Sequence, residues 1–563
     1  MGISLFFTIF SWILGGLVLI YSVLFVRKRK DGPLYFLYAL LTLICASGAF
    51  LADNFVVFLV YWGSLLVLLY AMIGLGSFKT ATRALIIVGI GDFCLILGVV
   101  YLIAVSGAVS INNFTPLATD NALNISAFLL IAVGAMIKAG IFGFHGWIVE
   151  AAETNPSTTM AFLPASLDKF LGIYLLVRAC KDFFVVNEVL SVVVMAIGAV
   201  TILSAVLMAL VQHDFKKLLA FHAVSQAGYM ILGIASGTLI GMAGGLFHML
   251  NNAIYKTCLF LSAGNIEHRI GDTELSKLGG LNKLMPITFI GTMIASLAIS
   301  GVPPFNGFAS KWMIYQGLLG QGASWVGVFK IIFLVMAMFG SVLTLASFMK
   351  VIYSAFMGDK PKELPSDIKE VPFLMQLPIL ILASLCIILG VFANRLMIEP
   401  FLESLVGAKI EYLGSWIPDT ATVLILLSLL IGVMVYFLSR VVSRTTGNFI
   451  GGETLEDNKV LGTDFYLSVQ DIKPLKAFYR IARIGGFDVA KHLTGVVNAS
   501  SYVLFYGVDR VINFITDGLG KLVFVVSAGF KKAHNGLLDR YVIWLLLGFV
   551  LLIGVFLKCL NCM

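Results

Sequence analysis

Four lysines sit where a lysine is costly. Lys138 lies in the middle of ISAFLLIAVGAMIKAGIFGFHGW, and Lys256 lies within LFHMLNNAIYKTCLFLSAGN. Lys169 follows Asp168 inside another apolar run, and Lys311 follows the stretch SGVPPFNGF. A charge in hydrocarbon is expensive, so an ionisable side chain there marks a functional candidate. A lysine near the end of a run can reach the interface along its own stem, and Lys350 reads that way. Lys138 and Lys256 are too central for that. Burial disfavours the charged form of a lysine, which brings proton binding and release within reach near neutral pH, and a neighbouring carboxylate opposes the effect. The acids within apolar runs are Asp92, in IIVGIGDFCLILG, and Asp168. His248 precedes Lys256 by two turns, and His145 and His222 lie near the ends of their runs. The chemistry these residues offer is ion relay, with no catalytic nucleophile and no metal set. Simpler roles stand beside it: Lys169 paired with Asp168, His248 bonded to a backbone carbonyl, Asp92 holding two helices together. Cys559 and Cys562 form a lone CxxC, a weak metal or redox signal. The other five cysteines read as small apolar filler.

The elements that position these residues follow from composition. Of 563 residues, 60% are hydrophobic and 12% charged, and the mean hydropathy is +0.99. Soluble domains carry about 25% charged residues. Runs of about 20 apolar residues, enough to cross hydrocarbon as a helix, recur along the chain. Fourteen spans are expected, at 5–26, 33–52, 55–76, 83–105, 125–148, 159–178, 188–211, 218–236, 241–265, 286–320, 326–356, 372–394, 419–440 and 541–558. The fold class is an all-α polytopic membrane protein. The first run is too long for a signal-peptide core and lacks a preceding basic segment, so it reads as a retained span. The net charge of +8 reflects lysines and arginines gathered in alternate loops, which sets the N-terminus outside and requires no nucleic acid.

Two spans carry interruptions. The paired prolines Pro303 and Pro304, between Gly301 and Gly307, cannot continue a regular helix, and Ala139–Gly143 is loosened by two glycines. At membrane depth such breaks are tolerated only inside protein or beside water, and discontinuous helices point to ion paths in transporters. Residues 475–540 differ: charges are scattered among Leu, Val and Phe, as in an amphipathic rod of about 60 residues on the inner surface. Its glycines predict interruptions. The organisation expected is N-terminal spans (1–54), a core (55–356), further spans (357–440), an inside-facing linker and lateral helix (441–540), and an anchoring span (541–563).

Taken together, GDFCLILG, IKAGIFGFHGWIVEA, LVQHDFKKLLAFHAVSQAGYM, LFHMLNNAIYKTCLFLSAGNIEH, KLGGLNKLMP and SGVPPFNGFASKW resemble one family. It is the antiporter-like ion-translocating subunits shared by respiratory complex I, Mrp-type cation/proton antiporters and energy-converting membrane-bound hydrogenases. The resemblance covers about residues 30–360. It implies two inverted five-helix repeats, each with one broken helix, and a hydrated lysine–histidine chain along the midplane. It assigns the first half-channel to Lys138 and Lys169, the central link to Lys256, and the exit to Lys311. Residues 475–540 and the last span resemble the lateral helix and anchor of the distal pump subunit of complex I.

Three positions depart from the family pattern. Its glutamate facing the first lysine is Gly63 here, after Trp62; two initial helices are missing; and a histidine before the central lysine is Asn252. Asp92, with Asp168 as the other in-span acid, is the expected substitute for the glutamate. The leading expectation is a proton- or sodium-translocating subunit of a redox-driven complex in a prokaryotic plasma membrane. Its partners would be further membrane subunits, lipid and a hydrophilic arm holding iron–sulfur clusters, with no cofactor in this chain. The alternatives are a gradient-driven cation/proton antiporter component and a non-pumping scaffold or carbon-uptake partner.

Overall fold

The computed structural model describes residues 2–319, 324–357, 360–361, 364–365, 367–414, 417–438, 466, 468–534 and 536–560. Among them, helices account for nearly everything. The exceptions are a two-residue parallel pair, Leu117–Ala118 against Phe184–Val185, two isolated bridges and the connecting turns. The helices start where short polar residues meet apolar runs. Asn54, Ser77, Asn121, Asn187, Asp214, Thr238 and Ser324 each accept hydrogen bonds from backbone N–H groups of the turn that follows. Such caps satisfy donors that a helix cannot satisfy itself.

Among the described residues, eleven helices are long and apolar enough to cross a membrane. Ten coincide with expected spans, and the eleventh is Val489–Lys532, within the expected rod. Four more expected spans are helical: Phe215–Ile234 and Leu239–Ile270 are more polar, the tenth span is split into the shorter Pro286–Ser300 and Asn306–Leu318, and the thirteenth coincides with Pro418–Leu438. The first two carry His222, Ser225, Gln226, His248, Asn251, Asn252 and Lys256, all fully buried. They are the centre of the bundle, so protein rather than lipid surrounds their polar groups.

The fifth and tenth spans are discontinuous. Ala122–Ala139 ends at Gly140 (φ +83°), and Gly146–Thr154 resumes after a short loop. Pro286–Ser300 ends at Gly301 (φ +80°), and Asn306–Leu318 follows. Both glycines adopt the left-handed conformation that ends helices and that side chains resist. Gly307 lies inside the second of these half-helices. Ser157–Phe183 is continuous but contains π-helical turns at Leu163–Leu167 and Ala179–Phe183.

The chain divides into two compact units, residues 1–490 and 491–563. The second comprises the rest of the helix that starts at Val489 and the helix Leu538–Leu560, both exposed along their length. Here the expectation about glycines is corrected. Gly495, Gly518 and Gly520 do not interrupt the helix, and Gly507 sits within a π turn at Leu504–Asp509. A glycine costs a helix only about 1 kcal/mol, which weakens a long helix without ending it. Gly485 (φ +69°) and Gly486, also among the glycines expected to break the rod, do interrupt the chain, before this helix begins.

Close approach fixes the surroundings of the second break. A Cβ on Gly390 would fall 2.0 Å from the carbonyl oxygen of Pro304. Overpacking of this kind costs about 1–3 kcal/mol. Gly390→Ala is therefore expected to lower the melting temperature of the detergent-solubilised protein. Gly16→Ala, at a helical position with nothing within 4 Å, leaves it unchanged, and equal effects from the two would contradict this packing.

Candidate functional site

The two breaks are built alike. Each half-helix that ends leaves backbone carbonyls without intrahelical partners, and its C-terminus carries partial negative charge. At the first break the Lys169 ammonium donates to the carbonyl oxygen of Ala139. At the second, Lys311 donates to the carbonyl oxygen of Ile299 at 2.9 Å and to Ser341 Oγ at 2.9 Å. Both lysines lie against the terminating glycine: a Cβ on Gly140 would sit 3.2 Å from Lys169 Nζ, and one on Gly301 would sit 3.0 Å from Lys311 Cδ.

Lys138 occupies the last turn of the first half-helix and is buried. Its ammonium has no hydrogen-bond partner within the protein. Asp168 Oδ1 lies 4.0 Å away, and the Trp62 ring centroid 5.8 Å away. The expected substitute acid, Asp92, accepts a 2.7 Å hydrogen bond from Trp62 Nε1 and lies within electrostatic reach of Lys138. Asp168 thus faces Lys138, whereas its sequence neighbour Lys169 turns to the broken helix end. Gly63 is exposed, and a Cβ there would meet nothing within 4 Å. Trp62, one residue earlier, is the side chain that meets Lys138.

Lys256 donates to the carbonyl oxygen of Leu219 at 2.7 Å and is fully buried. Asn252 reaches back to the carbonyl oxygen of Ala165, in the π turn before Lys169, at 3.3 Å. His248 sits between Ser310 Oγ (Nδ1, 2.9 Å) and Gln226 Oε1 (Nε2, 3.0 Å). Ser310 precedes Lys311, so His248 links the central helix to the second break. Asn251 and Asn306 bond reciprocally at 2.9 and 3.0 Å, fixing the start of the second half-helix. The charged groups lie within electrostatic reach of one another in a row: Asp92, Lys138, Asp168, Lys169, Lys256, His222 and Lys311.

Sequence reasoning misplaced some partners. Lys350 does not snorkel to the surface. It is buried and donates to the carbonyl oxygens of Leu210 and Gln212, both at 2.6 Å, closing the end of Glu188–Leu210. His222, placed near a span end, is fully buried with Nε2 2.8 Å from Ser347 Oγ. His145 precedes Gly146–Thr154, accepts from the Gly143 N–H at Nδ1 (3.1 Å) and stacks on Phe142. Beside it Arg83 contacts both Glu150 and Asp488. No sequence pattern announced that cluster, because Asp488 comes from a distant loop. Among the described residues no cluster of three or more metal-ligating side chains occurs, and Cys562 lies outside them.

Buried lysines at the ends of interrupted helices, inside a multispan helical bundle, define a membrane protein of the discontinuous-helix class. The family described as "NADH:quinone oxidoreductase/Mrp antiporter, TM" matches residues 52–353, more than half of the chain, and the protein belongs to it. The chain is 31% identical over 433 residues to a Na(+)/H(+) antiporter subunit of Alkalihalophilus pseudofirmus, covering 72% of this chain and 54% of the relative. It is also 31% identical to the corresponding protein of Bacillus subtilis, covering 69% and 52%. The chain therefore spans about half the length of these curated relatives. Its fold is similar to a chain of the membrane-bound sulfane sulfur reductase, an archaeal respiratory membrane complex, with a TM-score of 0.73 over 98% of this chain and 89% of that one, at 23% identity. A chain of the Mrp complex from Dietzia sp. is similar over 69% and 81%, with a TM-score of 0.62 and also 23% identity.

Two outcomes test the geometry around Lys138. A double-mutant cycle of Lys138→Met and Asp168→Leu is expected to show a coupling of about 1–3 kcal/mol in unfolding. Additive effects would contradict the pairing. Gly63→Glu is expected to leave ion uptake by the reconstituted protein unchanged, and a marked gain would show that this position does reach the lysine.

Proposed function

We propose that this chain is an ion-translocating membrane subunit of a multi-subunit complex, carrying protons or sodium through the buried row from Lys138 to Lys311. The observation that carries the reading is Lys138, a buried ammonium 4.0 Å from Asp168 with no hydrogen bond to the protein. A buried cation facing carboxylates without a hydrogen bond to them can be loaded and unloaded when a carboxylate moves or changes charge. Other buried polar atoms along the row also lack protein partners, among them Asp168 Oδ2, Asn252 Oδ1 and His222 Nδ1. Buried polar atoms of this kind are ordinarily satisfied by water, which would supply the links between lysines.

In this reading Lys138, Asp168 and Lys169 form the first half-path. Lys256 and His248 form the centre, and Lys311 with Ser341 the second half-path. His145 lies at the mouth of the first break, and Asp92 with Trp62 forms its wall. The driving force proposed is redox chemistry in partner subunits carrying iron–sulfur clusters. Similarity to a respiratory-complex chain over nearly the whole length, including the C-terminal rod, supports this. The exposed helices Val489–Lys532 and Leu538–Leu560 would then lie along neighbouring subunits and in lipid. A prokaryotic plasma membrane, with the N-terminus outside, agrees with the loop charges. Gradient-driven cation/proton exchange is the second reading, favoured by the sequence similarity to Na(+)/H(+) antiporter proteins. The scaffold reading rests on the missing glutamate and the two missing initial helices, and Asp168 beside Lys138 weighs against the first of these.

The test is ion uptake in vesicles containing the purified complex. Uptake that starts with an electron donor and persists without a sodium gradient supports the redox reading, and uptake driven by a sodium or proton gradient alone supports exchange. Lys138→Ala and Lys256→Ala are each expected to abolish uptake while the protein still assembles with its partners. Normal uptake by both would remove the proposal.

A further inference from the structure

The helix Lys473–Arg483 is short, and its residues segregate sharply by chemistry. Lys473, Lys476, Arg480 and Arg483 fall within about 80° of one another at 100° per residue, and all four are exposed. The opposite face carries Leu475, Phe478 and Ala482, and Tyr479 lies between that face and Arg483. Tyr479 is buried and donates its hydroxyl to the carbonyl oxygen of Leu207 at 2.9 Å, and Phe478 packs on Phe487 at 5.1 Å. Leu207 is three residues before the end of the span Glu188–Leu210, about 4.5 Å along the helix axis. That bond holds the short helix at the level where a spanning helix leaves the hydrocarbon, the depth of lipid headgroups.

Charge and apolar surface meet there. Ile472, Ile481 and Ile484 flank the cations and are 49%, 39% and 62% exposed. A surface groove of about 540 Å³ runs beside the cations, lined by Gln470, Lys473, Lys476, Arg480 and Arg483 among others. Among the described residues the one acid on this face, Asp471, lies 3.7 Å from Lys476 with both side chains largely exposed, a weak pair that leaves the stripe strongly positive. A soluble acidic partner or a free anion would use the cations but gain nothing from isoleucines at membrane level. A lipid with an anionic phosphate uses both.

We propose that the basic face of the helix Lys473–Arg483 binds the phosphate headgroup of an anionic phospholipid, with the flanking isoleucines against its acyl chains. The site goes beyond ion translocation and does not depend on it. Lipid held there would fix the depth of the segment leading to Gly485 and to the long helix that starts at Val489.

The experiment uses the full chain, purified in detergent and stripped of lipid, with phosphatidylglycerol, phosphatidylcholine and inorganic phosphate as probes in native mass spectrometry. Phosphatidylglycerol is expected to bind at least about tenfold more tightly than phosphatidylcholine, and excess phosphate is not expected to displace it. The variant K473Q/K476Q/R480Q/R483Q is expected to lose that preference. A control with the same charge change at exposed sites elsewhere, R27Q/K28Q/K30Q/K79Q, is expected to keep it. Cross-linking of a photoactivatable phosphatidylglycerol to residues 473–484 of the unaltered protein gives an independent readout. Three results would each overturn the proposal: a preference retained in the quadruple variant, equal loss in the control, or displacement by phosphate.

Discussion

An interrupted helix in a membrane leaves carbonyl oxygens where water cannot reach freely, and the rest of this structure follows from how they are satisfied. In hydrocarbon each unpaired backbone group costs several kcal/mol. Here the carbonyls are met by lysines: Lys169 at Ala139, Lys311 at Ile299, and Lys350 at the end of Glu188–Leu210. Each side of the contact solves the other's problem. The ammonium would be prohibitively costly without acceptors, and the broken ends would be costly without donors. Breaking either helix without its lysine, or placing either lysine without its break, would leave an uncompensated group at the centre of the bundle.

The same constraint explains the tight packing around the breaks. A lysine can reach across to a neighbouring helix end only if the helices approach closely. Gly172 lies so near the first half-helix that a Cβ on it would fall 2.5 Å from the Ala139 nitrogen. Gly198 and Gly228 each face the other's carbonyl oxygen across the contact between Glu188–Leu210 and Phe215–Ile234. Small residues at such contacts are the usual means of bringing helix backbones together in membranes. The π turn at Leu163–Leu167 lies just before Asp168 and Lys169, and the Ala165 carbonyl in it accepts from Asn252. This irregularity thus falls directly beside residues proposed to move ions.

Much of this was legible in the residues. Apolar run length located the helices, because only a helix can satisfy its backbone in hydrocarbon. The prolines and glycines of SGVPPFNGF marked the second break, and a lysine amid apolar neighbours announced its own cost. What pairs with what was not legible. Asp168 and Lys169 are adjacent in sequence, yet successive residues on a helix point about 100° apart, so one faces Lys138 and the other the broken end. Gly63 illustrates the same limit, since Trp62 beside it carries the contact. Lys350 looked like a span-end lysine because position along a helix says nothing of what caps the neighbouring one. Gly495, Gly507, Gly518 and Gly520 misled for a different reason: a single glycine weakens a helix without ending it.

The central claim is that the buried lysines at the broken helix ends carry the ion. The most direct measurement is ion uptake into vesicles by the intact complex bearing Lys311→Met, with assembly verified by co-purification of its partner subunits. The account predicts an assembled complex that no longer takes up ions, because the second break loses its exchangeable cation. Uptake at the unaltered rate through an assembled Lys311→Met complex would contradict it and leave this lysine a structural cap alone.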